Sequence, residues 1–175
     1  MRHYFFILFS VFLINFSCQK ETSKKNTPIQ KTGMNTVVEH VNYTKIDAAA
    51  SKEIKQWKEY FIVEDFIQQL KKTSPTEALN NALELKTLTK QLKDSLTIKV
   101  LKTPAFKARE NVFENEVLRL ADMTYIPSIT SKEVNNQIDK IFSLFSSMNH
   151  KINAVYAKKS FDKANKIDSL FSGFK

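Results

Sequence analysis

Residues 73–96 read TSPTEALNNALELKTLTKQLKDSL, and this stretch decides the fold. Thr73-Ser74-Pro75-Thr76-Glu77 supplies a hydroxyl N-cap, a proline at the first helical position and a carboxylate that can reach back to the cap backbone. A helix starts there. Its apolar seam runs Ala78, Ala82, Leu85, Thr89, Leu92 and Leu96 in alternating steps of four and three residues, with Leu79, Leu83 and Leu88 widening it. Such a seam predicts a rod packed lengthwise against other rods.

The same grammar extends in both directions. Upstream, Ile46, Ala50, Ile54, Trp57 and Phe61 recur at helical intervals, and the stripe then drifts to Tyr60, Val63, Ile67 and Leu70, predicting a first helix. Downstream, Thr103-Pro104 opens a third helix with the stripe Phe106, Phe113, Val117, Leu120 and Thr124. After Pro127, a second capping box from Thr130 to Glu133 opens a fourth, carrying Val134, Ile138, Ile141, Phe145, Met148, Ile152 and Val155. Four rods of about 22–27 residues, or roughly 33–40 Å, joined by short loops predict an all-α, up-and-down four-helix bundle over residues 45–157. A three-helix coiled coil kinked at Pro104, or a long hairpin completed by dimerisation, stays open as an alternative.

Glycine usage narrows the field. Among 175 residues only Gly33 and Gly173 are glycines, leaving 139 consecutive positions between them without one. Phosphate-cradling loops and dinucleotide-binding turns need glycines where the backbone approaches a ligand, so both are excluded. A β-sandwich, with its many tight corners, is equally poorly served.

At the N-terminus, Arg2 precedes a nearly unbroken apolar run from Tyr4 to Phe16, interrupted only by Ser10 and Asn15. That run falls short of the ~20 residues a membrane crossing needs and reads as an export signal over residues 1–17. Cys18 follows the small residue Ser17, and as the chain's one cysteine it can form no internal disulfide. Leu13, Ile14, Phe16, Ser17 and Cys18 resemble a bacterial lipobox, although Asn15 occupies the usually aliphatic position three before the cysteine. The resemblance implies that Cys18 becomes the acylated N-terminus and the membrane anchor, since two or three acyl chains hold a protein on a bilayer at about 0.8 kcal/mol per buried methylene. Gln19, Lys20 and Glu21 are similar to the short tags behind the lipidated cysteine of surface lipoproteins in Bacteroidota-type bacteria. With a polar tether and a helical body behind it, the chain resembles uncharacterised helical lipoproteins of such bacteria. The implied location is the cell envelope, at the outer membrane, facing the periplasm or displayed at the surface.

Residues 18–44 hold mostly polar side chains with Pro28 and Gly33, and predict a flexible tether behind the lipidated cysteine. Residues 158–175 set Ile167, Leu170, Phe171 and Phe174 among five lysines, a basic amphipathic helical tail that caps the bundle or touches a membrane or partner. The formal charge of +9 lives mainly in the flanks: residues 19–31 carry four lysines and one glutamate, and residues 158–175 five lysines and two aspartates. A nucleic-acid module would gather arginines on one folded face, whereas the predicted domain has only Arg109 and Arg119, so no nucleic-acid partner is expected.

Chemistry is sparse. Outside the leader, the histidines are His40 in the expected tether and His150 on the fourth helix, neither with a second ligand at metal spacing, so no metal or cofactor is expected. Glu64 falls on the early seam of the first helix, and Arg109, Glu110 and Glu116 flank the third stripe. Arg109 and Glu116 lie on one side, positioned to brace a neighbouring helix by ion pairs. Trp57, Phe61, Phe113, Phe142 and Phe145 read as core, or as the lining of an apolar pocket. No catalytic residues are expected. The reading is a non-enzymatic, lipid-anchored helical module that binds a protein or envelope component, with a helix-bundle carrier of a lipid or other apolar ligand as the alternative.

Overall fold

The computed structural model describes residues 32–165; the leader 1–17, Cys18, residues 19–31 of the expected tether and residues 166–175 of the expected tail lie outside the described residues. Among those described, the chain is built from five α-helices: α1 Ala48–Ile54, α2 Lys58–Leu70, α3 Pro75–Asp94, α4 Pro104–Met123 and α5 Ser131–Asn165. Two-residue strands β1 Val38–Glu39 and β2 Lys72–Thr73 pair antiparallel, Val38 opposite Thr73 and Glu39 opposite Lys72. The protein is all-α, with the strands acting as a clip. No helix among the described residues is long and apolar enough to cross a membrane.

Cap chemistry sets the helix starts. Ser74 accepts from the Glu77 backbone N–H while the Glu77 carboxylate accepts from the Ser74 N–H at 2.9 Å, so the box closes from both sides and Pro75 takes the first helical position. Thr103 caps α4 by accepting from the Phe106 N–H, and Thr130 and Glu133 close the second box before α5. These hydrogen bonds, Ser74 first, hold the Glu77 carboxyl below its ordinary value.

Helix faces then build one core. Ala78, Ala82, Leu85 and Leu92 of α3 meet Phe106, Phe113, Val117 and Leu120 of α4 and Ile138, Ile141, Phe145 and Met148 of α5, all fully buried. Aromatic rings fill the centre. Tyr60 stacks on Phe145 with ring centroids 5.7 Å apart, Phe113 lies 5.6 Å from Phe145, and Trp57 lies 5.5 Å from Tyr60.

The first expected helix is two helices, so the described chain has five rather than four. Trp57 leaves helical geometry at φ −88°, ψ 75°, and its backbone N–H bonds the Ile54 carbonyl. This break turns the indole inward, where its N–H donates to the Leu92 carbonyl at 3.1 Å and to Ser95 Oγ at 3.0 Å, satisfying the end of α3. The stripe drift from Phe61 to Tyr60 is the sequence trace of that break. Pro104 opens a new helix after a short 3-10 turn, Lys99–Leu101, instead of kinking one long rod.

Residues 32–44 were expected to be the flexible end of the tether, yet they form an ordered strap across the helices. Gly33, at φ +81°, makes a turn that side chains rarely adopt, and a Cβ there would meet Ser131 Oγ at 3.2 Å. The Met34 carbonyl accepts from both the Thr76 N–H and its hydroxyl, pinning the strap to the start of α3. Towards the end of α5, Tyr156 is buried and residues 157–164 are not; the helix runs on to Asn165 with Lys159 bonded to Glu53 of α1 at 2.7 Å.

Candidate functional site

One face of α5 is polar at helical spacing, and it is where the strap lies. Asp139 Oδ1 accepts from the Val41 N–H, Ser146 Oγ accepts from the Thr44 N–H at 3.0 Å, and Asn153 Oδ1 accepts from the Asp47 N–H at 2.8 Å. Asn149 donates to the Thr44 carbonyl at 2.7 Å and accepts from the Tyr60 hydroxyl at 2.9 Å, tying strap, α2 and α5 together. Side chains three and four residues apart on the helix thus replace the partners that a strand would supply to an extended segment. His40 is buried among them, its Nδ1 3.0 Å from Asp139 Oδ1 and its ring stacked 6.0 Å from Phe142. His40 Nε2 is buried with no partner.

Beside this seam runs an open groove of about 700 Å³, lined by Asn42 of the strap, Arg109 of α4, and Asp139, Ser143, Ser147 and Lys151 of α5. His150 also lines it, with Nε2 3.0 Å from the Thr44 hydroxyl. Arg109 donates one guanidinium N–H to the Ala105 carbonyl at 2.7 Å and has no carboxylate partner among the described residues. Its remaining N–H groups, the Lys151 ammonium and the Ser143 and Ser147 hydroxyls are unspent donors on one concave surface.

The expected Arg109 brace is therefore corrected: Arg109 faces the groove, while Glu116 joins α5 through a neutral side chain. Gln137 donates to both the backbone carbonyl and the carboxylate of Glu116 at 2.8 Å, and Arg119, not Arg109, lies 3.7 Å from that carboxylate. Glu110 is buried with Oε1 unpartnered, and burial pushes its carboxyl up to about 7 against the pull of Lys93 and Lys107. The neighbouring Lys93 is itself paired with Glu114. Glu64 is half-buried beneath the strap and its carboxyl is raised by that burial, with Lys45 opposing the shift. Together, burial and Glu64 push the Tyr43 hydroxyl up to about 12.

No group of three or more metal-ligating side chains gathers among the described residues. Trp57, Phe113, Phe142 and Phe145 are buried and Phe61 half-buried, packed against neighbouring rings. Cys18, the expected lipidation residue, lies outside the described residues.

The groove residues were missed because none forms a motif. A trace existed nonetheless: Asp139, Ser143, Ser147 and Lys151 recur every four residues on the side of α5 away from its apolar seam. Only tertiary placement of Arg109 turns that stripe into a site. No family model, no curated protein and no solved structure matches this chain.

Proposed function

We propose that the chain is a lipid-anchored lipoprotein of the cell envelope, held at the outer membrane through Cys18, and that its helical domain is a non-enzymatic interaction module. The carrying observation is the apolar run ending in Phe16-Ser17-Cys18, with the chain's one cysteine at the position where a lipobox places it. Three further observations support the module reading. The titratable groups at the domain's centre are scattered: Glu110 feels Lys93 of α3 and Lys107 of α4, His40 is spent on the strap and His150 sits at the rim. The concave surface is an open groove whose lining includes several unspent donors. The rings that would line an apolar pocket pack on one another, which favours the module over the carrier alternative.

Within the domain, we read α2 to α5 as an up-and-down bundle with α1 and the strap laid against it. Contacts between α4 and α5 support this, since Glu116 meets Gln137 while Phe113, earlier on α4, meets Phe145, later on α5.

Membrane fractionation of the wild type and of Cys18→Ala tests the anchor. The wild type partitions with the outer membrane, and the variant yields a folded domain released from it. Retention of a processed Cys18→Ala chain on the membrane contradicts the anchor.

A further inference from the structure

We propose that the groove beside the strap is a binding site for an acidic saccharide, a sugar that carries a phosphate or carboxylate. The proposal rests on the reading of the domain as an interaction module and names the chemistry of its ligand.

Arg109 and Lys151 supply the positive charge of the groove. Both are half-buried, so their stems are held by packing, and neither spends its charge on a carboxylate among the described residues. An arginine fork held at the wall of a groove matches the paired oxygens of a carboxylate or phosphate, and a lysine beside it adds a second positive charge. The one acid among the residues lining the groove, Asp139, is engaged through Oδ1 with His40 and the Val41 N–H, and makes no ion pair with Arg109.

Affinity for a saccharide comes from the remaining lining. Ser143 and Ser147 have hydroxyls without partners among the described residues, and the Asn42 side chain, which accepts from Lys71, leaves its amide N–H groups free. Hydroxyls and amides both donate and accept, which suits ligand hydroxyls that do the same. Apolar lining comes from Val41, Ala154 and the aliphatic stems of Arg109 and Lys151, in a groove too open to enclose an acyl chain. The volume of about 700 Å³ lies in the ordinary range of small-molecule sites, and the open form admits an internal unit of a longer polymer.

Titration calorimetry and ¹⁵N-detected NMR on the full chain in detergent test this, with four probes: a uronic-acid oligosaccharide, a hexose phosphate, inorganic phosphate alone and a neutral oligosaccharide of equal length. At least one acidic sugar binds, shifting the amides of Ser143, Ser147 and Lys151, and the neutral sugar binds at least tenfold more weakly. Arg109→Ala and Lys151→Ala each weaken the acidic sugar tenfold or more while the melting temperature stays unchanged. Comparing the uronate with the hexose phosphate identifies the acid. Inorganic phosphate binding as tightly as the sugars overturns the saccharide claim, as does equal binding of the neutral sugar. Absence of any shift at millimolar probe, or unchanged affinity in Arg109→Ala, overturns the site. Because these readouts do not depend on acylation, failure here leaves the Cys18 anchor standing, and failure of the anchor leaves the groove result interpretable.

Discussion

Glu110 sits in surroundings that oppose its charge, and the consequence is a pH dependence with a fixed sign. Its carboxyl holds a proton up to about pH 7 in the folded state against an ordinary value of 4.5. Between those values the folded chain binds the proton that the unfolded chain releases, so stability is greatest below the window and falls as pH rises through it. Above pH 7 the full penalty of a buried carboxylate is present. Glu110→Gln keeps the shape without the charge, and thermal melts from pH 4.5 to 8 are expected to show the wild type losing on the order of 1–3 kcal/mol that the variant retains. Equal slopes for the two proteins would rule out Glu110 as the source. At the same scale, Asn149 serves two elements at once, through the Thr44 carbonyl and the Tyr60 hydroxyl. Asn149→Ala strands a buried phenol and is expected to cost about 2–3 kcal/mol in chemical denaturation, with faster amide exchange along residues 41–47.

Among elements, the helices with local punctuation were legible and the ones shaped by distant contacts were not. Ser74-Pro75-Thr76-Glu77, Thr103-Pro104 and Thr130 to Glu133 declare helix starts because every cap hydrogen bond closes within four residues. Trp57 breaks the first predicted helix for a reason 35 residues away, the Leu92 carbonyl at the end of α3, and neither Pro nor Gly marks the spot. The strap was hidden for a different reason. Its composition is polar because its order rests on hydrogen bonds to α5 about a hundred residues later, whereas a composition-based reading registers only apolar burial. The groove was half legible, as a polar stripe on α5 whose partner Arg109 was assigned to an ion pair. Two substitutions separate these cases. Ser74→Ala removes a cap that is purely local and is expected to lower stability by about 1 kcal/mol, read by thermal melting, with the strap's exchange rates unchanged. Gly33→Ala forces a side chain into φ +81° and against Ser131, so it is expected to loosen residues 32–38 in hydrogen exchange before it lowers the global melt.

At the scale of the whole molecule, the proposed account divides labour between a lipid at Cys18 and a helical body with an open groove beside its strap. The body draws its stability from a shared aromatic centre, so Phe145→Ala, which removes the ring between Tyr60 and Phe113, is expected to cost about 3–5 kcal/mol and to melt strap and helices together. Loss of the strap alone in that variant would mean the helices do not share one core. The anchor is the central claim, and it is tested most directly by mass spectrometry of the N-terminal peptide from protein extracted out of membranes. The account predicts a chain that begins at Cys18, with residues 1–17 gone and the cysteine carrying the mass of diacylglycerol plus an acyl chain. A chain that retains residues 1–17, or one that begins near Cys18 with a free thiol, would contradict it.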